Sequence, residues 1–516
     1  MDAVAENRRT VTTARGDNMS DAEFNIIDEK IGLFGGTLLL VGNVIAMTAF
    51  LLPAHLIADD GLGPEVAIAM LLVILPVTFS ILSTLQIGGA MPAAGGSYVY
   101  GSRLISPFFG FLLPWIVVPS IWLGQLYLAF GFAEFMRFFP TFDWIPMWAL
   151  MYAVMIPFIV LNVLGIRIVT QVQIVLVSII IGGMLLFIVP GSFHIDTANY
   201  SGMFQSGTGA FFLAIVSLSI AMHGFNLATD LGEELEDPVK NIPRVLGLSA
   251  VISIGLMVLL VVVAVGVVPL EFYVENRDAG VAYAAFEFLP SAGAYLVAAA
   301  AVVGAFTSLN TLYTAYSRQL MRAARDEAIP LYFAKLHPEY QTPYRAILLL
   351  AVPALIMVPP ISQTTPVLMA AVLSITSMIG AVVSAVALWN LPKRFERRYE
   401  YSIYKLPKPF LKFVAVASAT VSLVFLAGVS LSIGWVLAII FGWIVLAYPA
   451  YRYRVRSLRE KKDVDLRKRM KSLHDYEEER AESGSRAGRS EADETETDSD
   501  TDAETDATGT SPANED

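Results

Sequence analysis

Long apolar runs recur along most of this chain, and they restrict its architecture more than any other feature. The hydrocarbon core of a bilayer is about 30 Å thick, so a helix needs about 20 apolar residues to cross it. Such runs predict about twelve transmembrane helices, and the third and eighth runs are longer than a bilayer requires. Their centres lie near Ile45, Leu75, Ser120, Ile156, Ile180, Ile220, Leu259, Val302, Leu355, Ile379, Val421 and Ile440. The predicted fold class is an all-α membrane protein.

Composition agrees with this prediction and excludes several kinds of chemistry. Hydrophobic residues make up 55% of the chain and charged residues 16%, whereas a soluble protein carries about 25% charged residues. The chain contains no cysteine. Disulfides, thiolate metal sites and cysteine nucleophiles are therefore excluded.

Positive charges alternate between successive loops, which predicts the orientation in the membrane. One set of loops carries only Arg137 and Arg277. The other set carries Arg103, Arg167, Lys240, Arg244, Arg318, Arg322, Arg325, Lys335, Arg345, Lys393, Arg394, Arg397 and Arg398. Because cytosolic loops are enriched in Lys and Arg, both termini are predicted to be cytosolic, which requires an even number of spans. The polar N-terminal arm contains no apolar run ahead of a cleavage site, so no secretory signal is predicted.

Two of the apolar runs contain polar and glycine residues near the middle of the membrane. The first reads GGTLLLVGNVIAMTAFLLP from Gly35 to Pro53, and the sixth reads FFLAIVSLSIAMHGFNLATDLGEE from Phe211 to Glu234. Transporters commonly interrupt a pair of helices in this way, because half-helix ends and unwound backbone bind the solute. The five-span separation predicts two five-helix repeats, with the last two spans outside them. The alternative is that the glycines allow close helix packing and that Asn or His bonds a neighbouring helix.

His223 is the ionisable residue nearest the middle of a predicted span. Such a group is costly in a bilayer and usually faces a cavity or a partner. Glu134, Asp230 and Glu233 are predicted to lie nearer the ends of their spans. His223 is therefore a candidate for lining a solute site. A structural hydrogen bond and a role in proton coupling are the alternatives.

Four stretches resemble one known family, the amino acid–polyamine–organocation (APC) permeases. VGNVIAMTAFLLPA (41–54) is similar to the family's first-span signature, and GGAMPAAGGSYVYGSRLISPFFGFLLPW (88–115) closely matches its second-span exit and third-span entry. GFNLATDLGEELEDPVKNIPR (224–244) closely matches the sixth-span exit, and the run from Ser317 resembles the exit of the eighth span. The resemblance extends from about Gly32 to Asn390. It implies a LeuT-like fold of five plus five inverted repeats, with helices 1 and 6 discontinuous and two further C-terminal helices.

The resemblance also implies a domain organisation. Residues 1–31 form a cytosolic arm, 32–390 the ten-helix transport core, and 391–455 a loop and two additional transmembrane helices. Residues 456–516 form a basic and then acidic tail, whose composition is typical of disordered segments. Such a tail on a cysteine-free chain suits a salt-rich cytoplasm, as in halophilic archaea, and a regulatory acidic tail is the alternative.

In this family, the solute is an amino acid and transport proceeds by alternating access. The resemblance implies that the amides of Ala46, Met47 and Thr48 receive the substrate carboxylate, helped by the positive end of a half-helix. The carbonyls of Ile220, Ala221 and Met222 would accept hydrogen bonds from its ammonium group, and His223 and Gly224 complete the predicted site. Many relatives have Gly-Ser-Gly where this chain has Ala46, Met47 and Thr48, and Glu where it has Asn226. These departures leave open a small neutral amino acid, a larger one or a non-amino-acid amine.

The coupling ion is predicted from the same comparison. Some proton-coupled relatives have a lysine in the fifth span, and residues 168–189 contain none. Sodium-coupled proteins of this fold place two hydroxyl groups of the eighth span against carbonyls of the first. Thr307 and Ser308, with the carbonyls of Val41 and Val44, match that pattern, and oxygen ligands suit hard cations. Bonding of both hydroxyls within their own helix is the alternative, and proton symport and exchange also remain open.

Other functions find less support in the sequence. GGAMPAAGG lacks the Lys-Ser/Thr of a phosphate-binding loop, so no nucleotide cofactor is predicted. The basic residues from Arg452 to Lys471 are expected to contact anionic lipid rather than nucleic acid. No nucleophile–base pair or metal cluster lies inside the spans, so an enzyme is not predicted. A sensor that binds an amino acid without transporting it, and a transporter of polyamines or another amine, are the alternatives. The oligomeric state is not predicted.

Overall fold

The computed structural model of this chain describes most of the apolar part and neither terminus. The described residues are 30–45, 48–58, 61–91, 95–205, 207, 211, 214–215, 218, 223–226, 228, 235–276, 280–363, 367–400, 402–432 and 434–471. Almost all of the predicted N-terminal arm and the acidic tail therefore lie outside the described residues.

The described residues form α-helices joined by short turns. The first nine helices are α1 (Leu33–Val44), α2 (Thr48–Ala58), α3 (Val66–Leu72), α4 (Ile74–Ala90), α5 (Gly96–Val99), α6 (Pro107–Met136), α7 (Met147–Val163), α8 (Ile166–Gly191) and α9 (Pro238–Val267). The others are α10 (Leu270–Glu275), α11 (Gly280–Ala284), α12 (Ser291–Arg325), α13 (Tyr344–Ile361), α14 (Val367–Arg394), α15 (Glu396–Glu400), α16 (Lys408–Ser432), α17 (Gly434–Lys462) and α18 (Leu466–Arg469). No strand forms among the described residues, and the β-contact that they contain is an isolated parallel bridge between Ile31 and Leu235.

Eight of the described helical segments are long and apolar enough to cross a membrane. Eight of the predicted span centres, from Leu75 to Val421, lie within these segments. Ile156 lies in α7 and Ile440 in α17, while Ile220 lies outside the described residues. The third and eighth spans are long, as predicted, with 30 residues in α6 and 35 in α12. The predicted fold class, an all-α multi-pass membrane protein, is therefore confirmed.

Local sequence explains where several of these helices begin. Pro107 and Pro238 open α6 and α9, where the missing amide hydrogen would have no helical partner. Gly165 has φ +117 between α7 and α8, a backbone conformation that residues with a side chain rarely adopt. Glycine therefore permits the single-residue reversal that places α7 beside α8.

The last long helix, α17, is fixed against α6 by two tryptophans. The rings of Trp115 and Trp443 stack with their centroids 4.8 Å apart. Each indole N–H donates to the backbone carbonyl of the other residue at 3.0 Å. This reciprocal contact sets the position of α17, and its polar extension then lies at one end of the bundle. We call this end, which includes Arg103, Arg325 and Lys462, the basic end.

Candidate functional site

The first apolar segment is interrupted where the sequence predicts it. Helix α1 ends at Val44, and Ile45 leaves the helical conformation with φ −82 and ψ 74. Helix α2 begins at Thr48. The Ile45 amide donates to the Val41 carbonyl at 2.8 Å. A helix end leaves the carbonyls of its last turn without helical partners, so the Val44 carbonyl is among the acceptors at this interruption.

Most of the predicted substrate contacts cannot be placed. Five of them lie outside the described residues, namely Ala46, Met47, Ile220, Ala221 and Met222. Thr48 and His223 have described backbone positions, but their side chains are outside the description. Asp230 and Glu233 are outside the described residues, whereas Glu134 lies near the end of α6, as predicted.

The second predicted interruption contains a 3₁₀ turn, from His223 to Asn226, that contacts α1. The Asn43 side-chain amide donates to the Gly224 carbonyl at 3.0 Å. A Cβ atom at residue 224 would collide with Asn43 Nδ2 and would lie 3.0 Å from Val44 Cγ2. The two segments are therefore in direct contact, and glycine is required at 224 for their closest approach.

Gly42, the residue before Asn43, brings α1 equally close to α8. A Cβ atom at residue 42 would collide with Gln173 Nε2 and Val177 Cγ2. Successive residues of α1 therefore contact different partners, because Gly42 packs against α8 and Asn43 bonds the 223–226 turn. Close packing at small residues is a common way for membrane helices to associate. The interruption of α1 thus lies directly beside both partners.

A chain of buried amide side chains joins α7, α8 and α12 next to this point. Asn162 Nδ2 donates to Asn310 Oδ1 at 2.8 Å, and Asn310 Nδ2 donates to Gln173 Oε1 at 2.9 Å. The Thr314 hydroxyl donates to Asn162 Oδ1 at 2.7 Å. The Gln173 Nε2 end is only loosely satisfied, because its two acceptors, on Thr307 and Thr311, are both 3.5 Å away. Gln173 Nε2, the loosely bonded end of this series of amide side chains, faces Gly42.

The predicted ion-binding hydroxyls lie in α12 and are both buried. Thr307 Oγ1 and Ser308 Oγ each donate to the Gly304 carbonyl, at 3.0 and 3.1 Å. This is the bonding within the same helix that the sequence analysis gave as the alternative. A hydroxyl that donates its proton in this way keeps oxygen lone pairs that can bind a cation. The sodium site therefore stays a prediction.

A second polar group lies at the basic end, outside the membrane-spanning segments. Arg103 Nη1 contacts Asp326 Oδ2 at 2.6 Å, and the Tyr98 hydroxyl donates to the same oxygen at 2.8 Å. Both side chains of the ion pair are fully buried. Burial opposes the charge of Arg103, yet Asp326 and Tyr98 together raise the pKa of this guanidinium above its usual value. The Arg103–Asp326 ion pair therefore joins the 96–105 segment to the turn that ends α12.

Sequence reasoning missed several of these residues. Asn43 lies among the polar residues of the first predicted interruption, but its bond to Gly224 cannot be read from the sequence. Asn162, Gln173 and Asn310 are not ionisable, so the cost of burying a charge does not point to them. An amide in an otherwise apolar run is the signal that would have found them, since a buried amide needs a partner in the bilayer.

Comparison with known proteins adds independent findings. The family model described as "Amino acid permease" matches residues 31–449. The branched-chain amino acid permease BcaP of Bacillus subtilis is 24% identical over 344 residues, which cover 62% of this chain and 72% of that protein. The methylthioribose transporter of the same organism is 25% identical over 332 residues, covering 61% and 71%. The human large neutral amino acids transporter small subunit 2 is 26% identical over 355 residues, covering 64% of each protein.

Proposed function

The chain belongs to the amino acid permease family of the APC superfamily, and on that premise we propose that it carries amino acids across the cell membrane by alternating access. The substrate binds between the interruption at Val44–Thr48 and the His223–Asn226 turn. The observation that carries this proposal is the bond from Asn43 to Gly224, which holds the two interrupted segments together in mid-span. Interrupted helices that meet in this way supply polar backbone groups to a solute inside the bilayer.

We propose that the backbone groups on the two sides of this contact bind the two charged ends of an amino acid zwitterion. The amides of Ala46, Met47 and Thr48 would receive the carboxylate, helped by the positive end of the dipole of α2. The carbonyls of Ile220, Ala221 and Met222 accept from the ammonium group. His223, which begins the 3₁₀ turn, lines the same site.

The orientation proposed from the loop charges places the basic end in the cytosol. At that end, the Glu236 amide donates to the Ile31 carbonyl at 3.1 Å, next to the bridge between Ile31 and Leu235. This contact connects the entry of α1 to the chain that follows the second interruption. The two segments have to move together, or this contact has to break, when the site opens to the cytosol.

A solute from another class is the second candidate function. Relatives with similar identity to this chain are named for branched-chain amino acids, large neutral amino acids and methylthioribose. Side chains at Ala46 and Met47 stand where many relatives have glycine, which favours a solute held differently from a small amino acid. A polyamine would need carboxylates facing the site, and the predicted positions offer almost none.

We propose sodium as the coupling ion, bound by Thr307, Ser308 and the carbonyls of Val41 and Val44. Both hydroxyls are buried in α12, which packs against α1. Residue 173, the polar position of α8 that faces Gly42, is a neutral glutamine. A neutral amide supplies no fixed positive charge in this region, which favours a bound cation there.

Uptake of a panel of labelled amino acids into proteoliposomes tests the proposal. The protein is compared with and without an inward sodium gradient at matched ionic strength, and the panel includes methylthioribose. Sodium-dependent accumulation of an amino acid supports both parts. Uptake that needs only internal substrate indicates exchange, and accumulation of methylthioribose alone supports the second candidate. Saturable binding without flux would contradict transport and would indicate a sensor.

A further inference from the structure

The turn that ends α12 has an unusual residue at its most constrained position. The Glu327 amide donates to the Ala324 carbonyl, and the Ala328 amide donates to the Ala323 carbonyl, both at 2.9 Å. This pattern is a Schellman turn, and its central residue adopts a left-handed conformation that is usually given to glycine. Glu327 occupies that position with φ +59. A strained backbone at a residue with a long side chain indicates that the side chain is needed there.

The Glu327 side chain binds two cations from the end of the chain. Lys462 Nζ lies 3.2 Å from one carboxylate oxygen, and Arg469 Nη1 lies 3.4 Å from the other. The backbone of the same turn is also bound, because Arg454 donates to the carbonyls of Glu327 and Ile329 at 3.0 and 3.2 Å. Three basic residues beyond the last membrane-crossing part of α17 therefore bind one turn. We call residues 454–471 the C-terminal strap.

Apolar contacts hold the end of the strap against the basic end. Leu466 and Met470 are fully buried. Met470 packs at Gly110, on the first turn of α6, where a Cβ atom would lie 3.1 Å from its methyl carbon. Arg469 also donates to the Arg325 carbonyl at 3.1 Å. The strap thus covers the junction between the start of α6 and the end of α12.

The two adjacent carboxylates of this turn differ in how firmly they bind. Asp326 binds Arg103 at 2.6 Å, and both side chains are fully buried. Glu327 is also buried, with 5% of its side chain exposed, but it binds its partners at 3.2 and 3.4 Å, and the side chains of Lys462 and Arg469 are 51% and 16% exposed. Long and partly exposed ion pairs are weak and are screened by salt. The Asp326 contact is therefore the stronger of the two, and the Glu327 contact is the one that opens more readily.

We propose that Glu327 anchors a releasable strap that slows the opening of the basic end. Asp326 holds the 96–105 segment, so a movement of that segment away from α12 pulls on the turn that the strap also binds. With the strap attached, both sides of the turn are fixed. When the strap is released, the turn is free to follow the 96–105 segment, and the transport cycle proceeds faster. The C-terminal strap thereby controls the rate.

The attachment of the strap can be measured by thiol labelling, which needs no substrate. Because the chain has no cysteine, an introduced cysteine is its single thiol. Met470→Cys introduces a single buried thiol, whose reaction with a maleimide in detergent reports release of the strap. Glu327→Gln removes the carboxylate charge and with it the ion pairs to Lys462 and Arg469. We expect the reaction to become about fivefold faster, as for the loss of two weak ion pairs of about 0.5 kcal/mol each. In the Met470→Cys variant that retains Glu327, raising the salt concentration from about 0.1 to about 1 M shortens the screening length from about 10 to about 3 Å. The labelling reaction should become faster by a similar factor.

Two controls separate the charge from the backbone turn. Glu327→Gly favours the left-handed turn and also removes the carboxylate, so it should give the same acceleration as Glu327→Gln. Lys471→Cys places the thiol at an exposed residue, and its reaction should be equally fast in every background. An unchanged reaction rate of Cys at 470 in Glu327→Gln would overturn the proposed anchor.

The effect on transport rests on the proposed function and is measured separately. Exchange of a mixture of radiolabelled amino acids across proteoliposomes should be about two- to fivefold faster in both Glu327 variants, since release removes two weak ion pairs from the closed state. Equal exchange rates despite faster thiol labelling would contradict control by the strap. If the unchanged protein exchanges no amino acid, the proposed function fails, while the labelling result still decides whether the strap is released through Glu327.

Discussion

The contact between Asn43 and Gly224 gives the sharpest prediction, which is that Gly224→Ala disrupts the candidate site. The added methyl group would collide with Asn43 Nδ2 and crowd Val44 Cγ2 at 3.0 Å. The backbone at 224 is not left-handed, so any effect comes from lack of space rather than from φ. Overpacking of a buried contact costs about 1–3 kcal/mol. Separation of the two segments also loses a hydrogen bond worth about 1 kcal/mol.

The expected cost is therefore about 2–4 kcal/mol against the arrangement in which the two segments touch. If only that arrangement binds substrate, the apparent affinity falls by about 30- to 700-fold. The measurement is equilibrium binding of the labelled amino acid that gives uptake, together with the melting temperature in detergent. The matched control is Gly255→Ala, because no atom lies within 4 Å of its added Cβ.

A second substitution tests whether Asn43 is the cause. Asn43→Ala removes the amide that collides, so the double variant Asn43→Ala/Gly224→Ala should bind more tightly than Gly224→Ala alone. Recovery should be partial, since Val44 still crowds the new methyl group. Wild-type affinity in Gly224→Ala, or no recovery in the double variant, would refute the reasoning from this contact.

Three further predictions concern other parts of the molecule. His223→Ala should raise the apparent KM about tenfold, as for the loss of one hydrogen bond to a charged ligand, and should leave the melting temperature within a few degrees. Unchanged uptake kinetics would remove this residue from the site. Asn310→Leu should lower the melting temperature measurably, because the buried amides of Asn162 and Gln173 each lose a hydrogen bond worth about 1 kcal/mol in a membrane. The control is Ser178→Ala, which should leave the melting temperature unchanged because this hydroxyl bonds only its own helix. Asp326→Asn should destabilise the protein by about 3–5 kcal/mol, since the buried charge of Arg103 loses its carboxylate. The double variant Arg103→Met/Asp326→Asn should recover stability. An Asp326→Asn variant as stable as the wild type would contradict this.

The long helices could be predicted from the sequence because their signal is local. Apolar runs of membrane length are read directly from consecutive residues, and eight predicted centres fall in described spans. The interruption after Val44 was also predictable, since polar and glycine residues lie together in the middle of this span. The five-plus-five repeat, predicted from the spacing of the two interrupted runs and implied by the APC resemblance, stays a prediction.

The partners of the polar residues could not be predicted in the same way. Asn43 and Gly224 are 181 residues apart, and Gln173 and Asn310 are 137 apart. Nothing in a single sequence indicates which of several buried amides will meet. The ends of helices were equally obscure, because the turn at Glu327 lacks the glycine that normally marks such a stop. Long-range side-chain contacts and strained turns are therefore the parts that needed the structure.

The distribution of polar contacts favours a particular division into rigid and moving parts. Helices α7, α8 and α12 are joined by a continuous chain of buried side-chain bonds through Asn162, Asn310 and Gln173. The side-chain hydrogen bond that the structure describes from α1 to another element is the one from Asn43 to the 223–226 turn. Helix α1 meets α8 instead through Gly42, which has no side chain to interlock with its neighbour. Sliding at that surface breaks none of the hydrogen bonds that the structure describes, whereas separating α7, α8 and α12 would expose amides to hydrocarbon. Helix α1 and the 223–226 turn should consequently move as a pair against the three joined helices, with the loosely bonded Gln173 amide at the boundary.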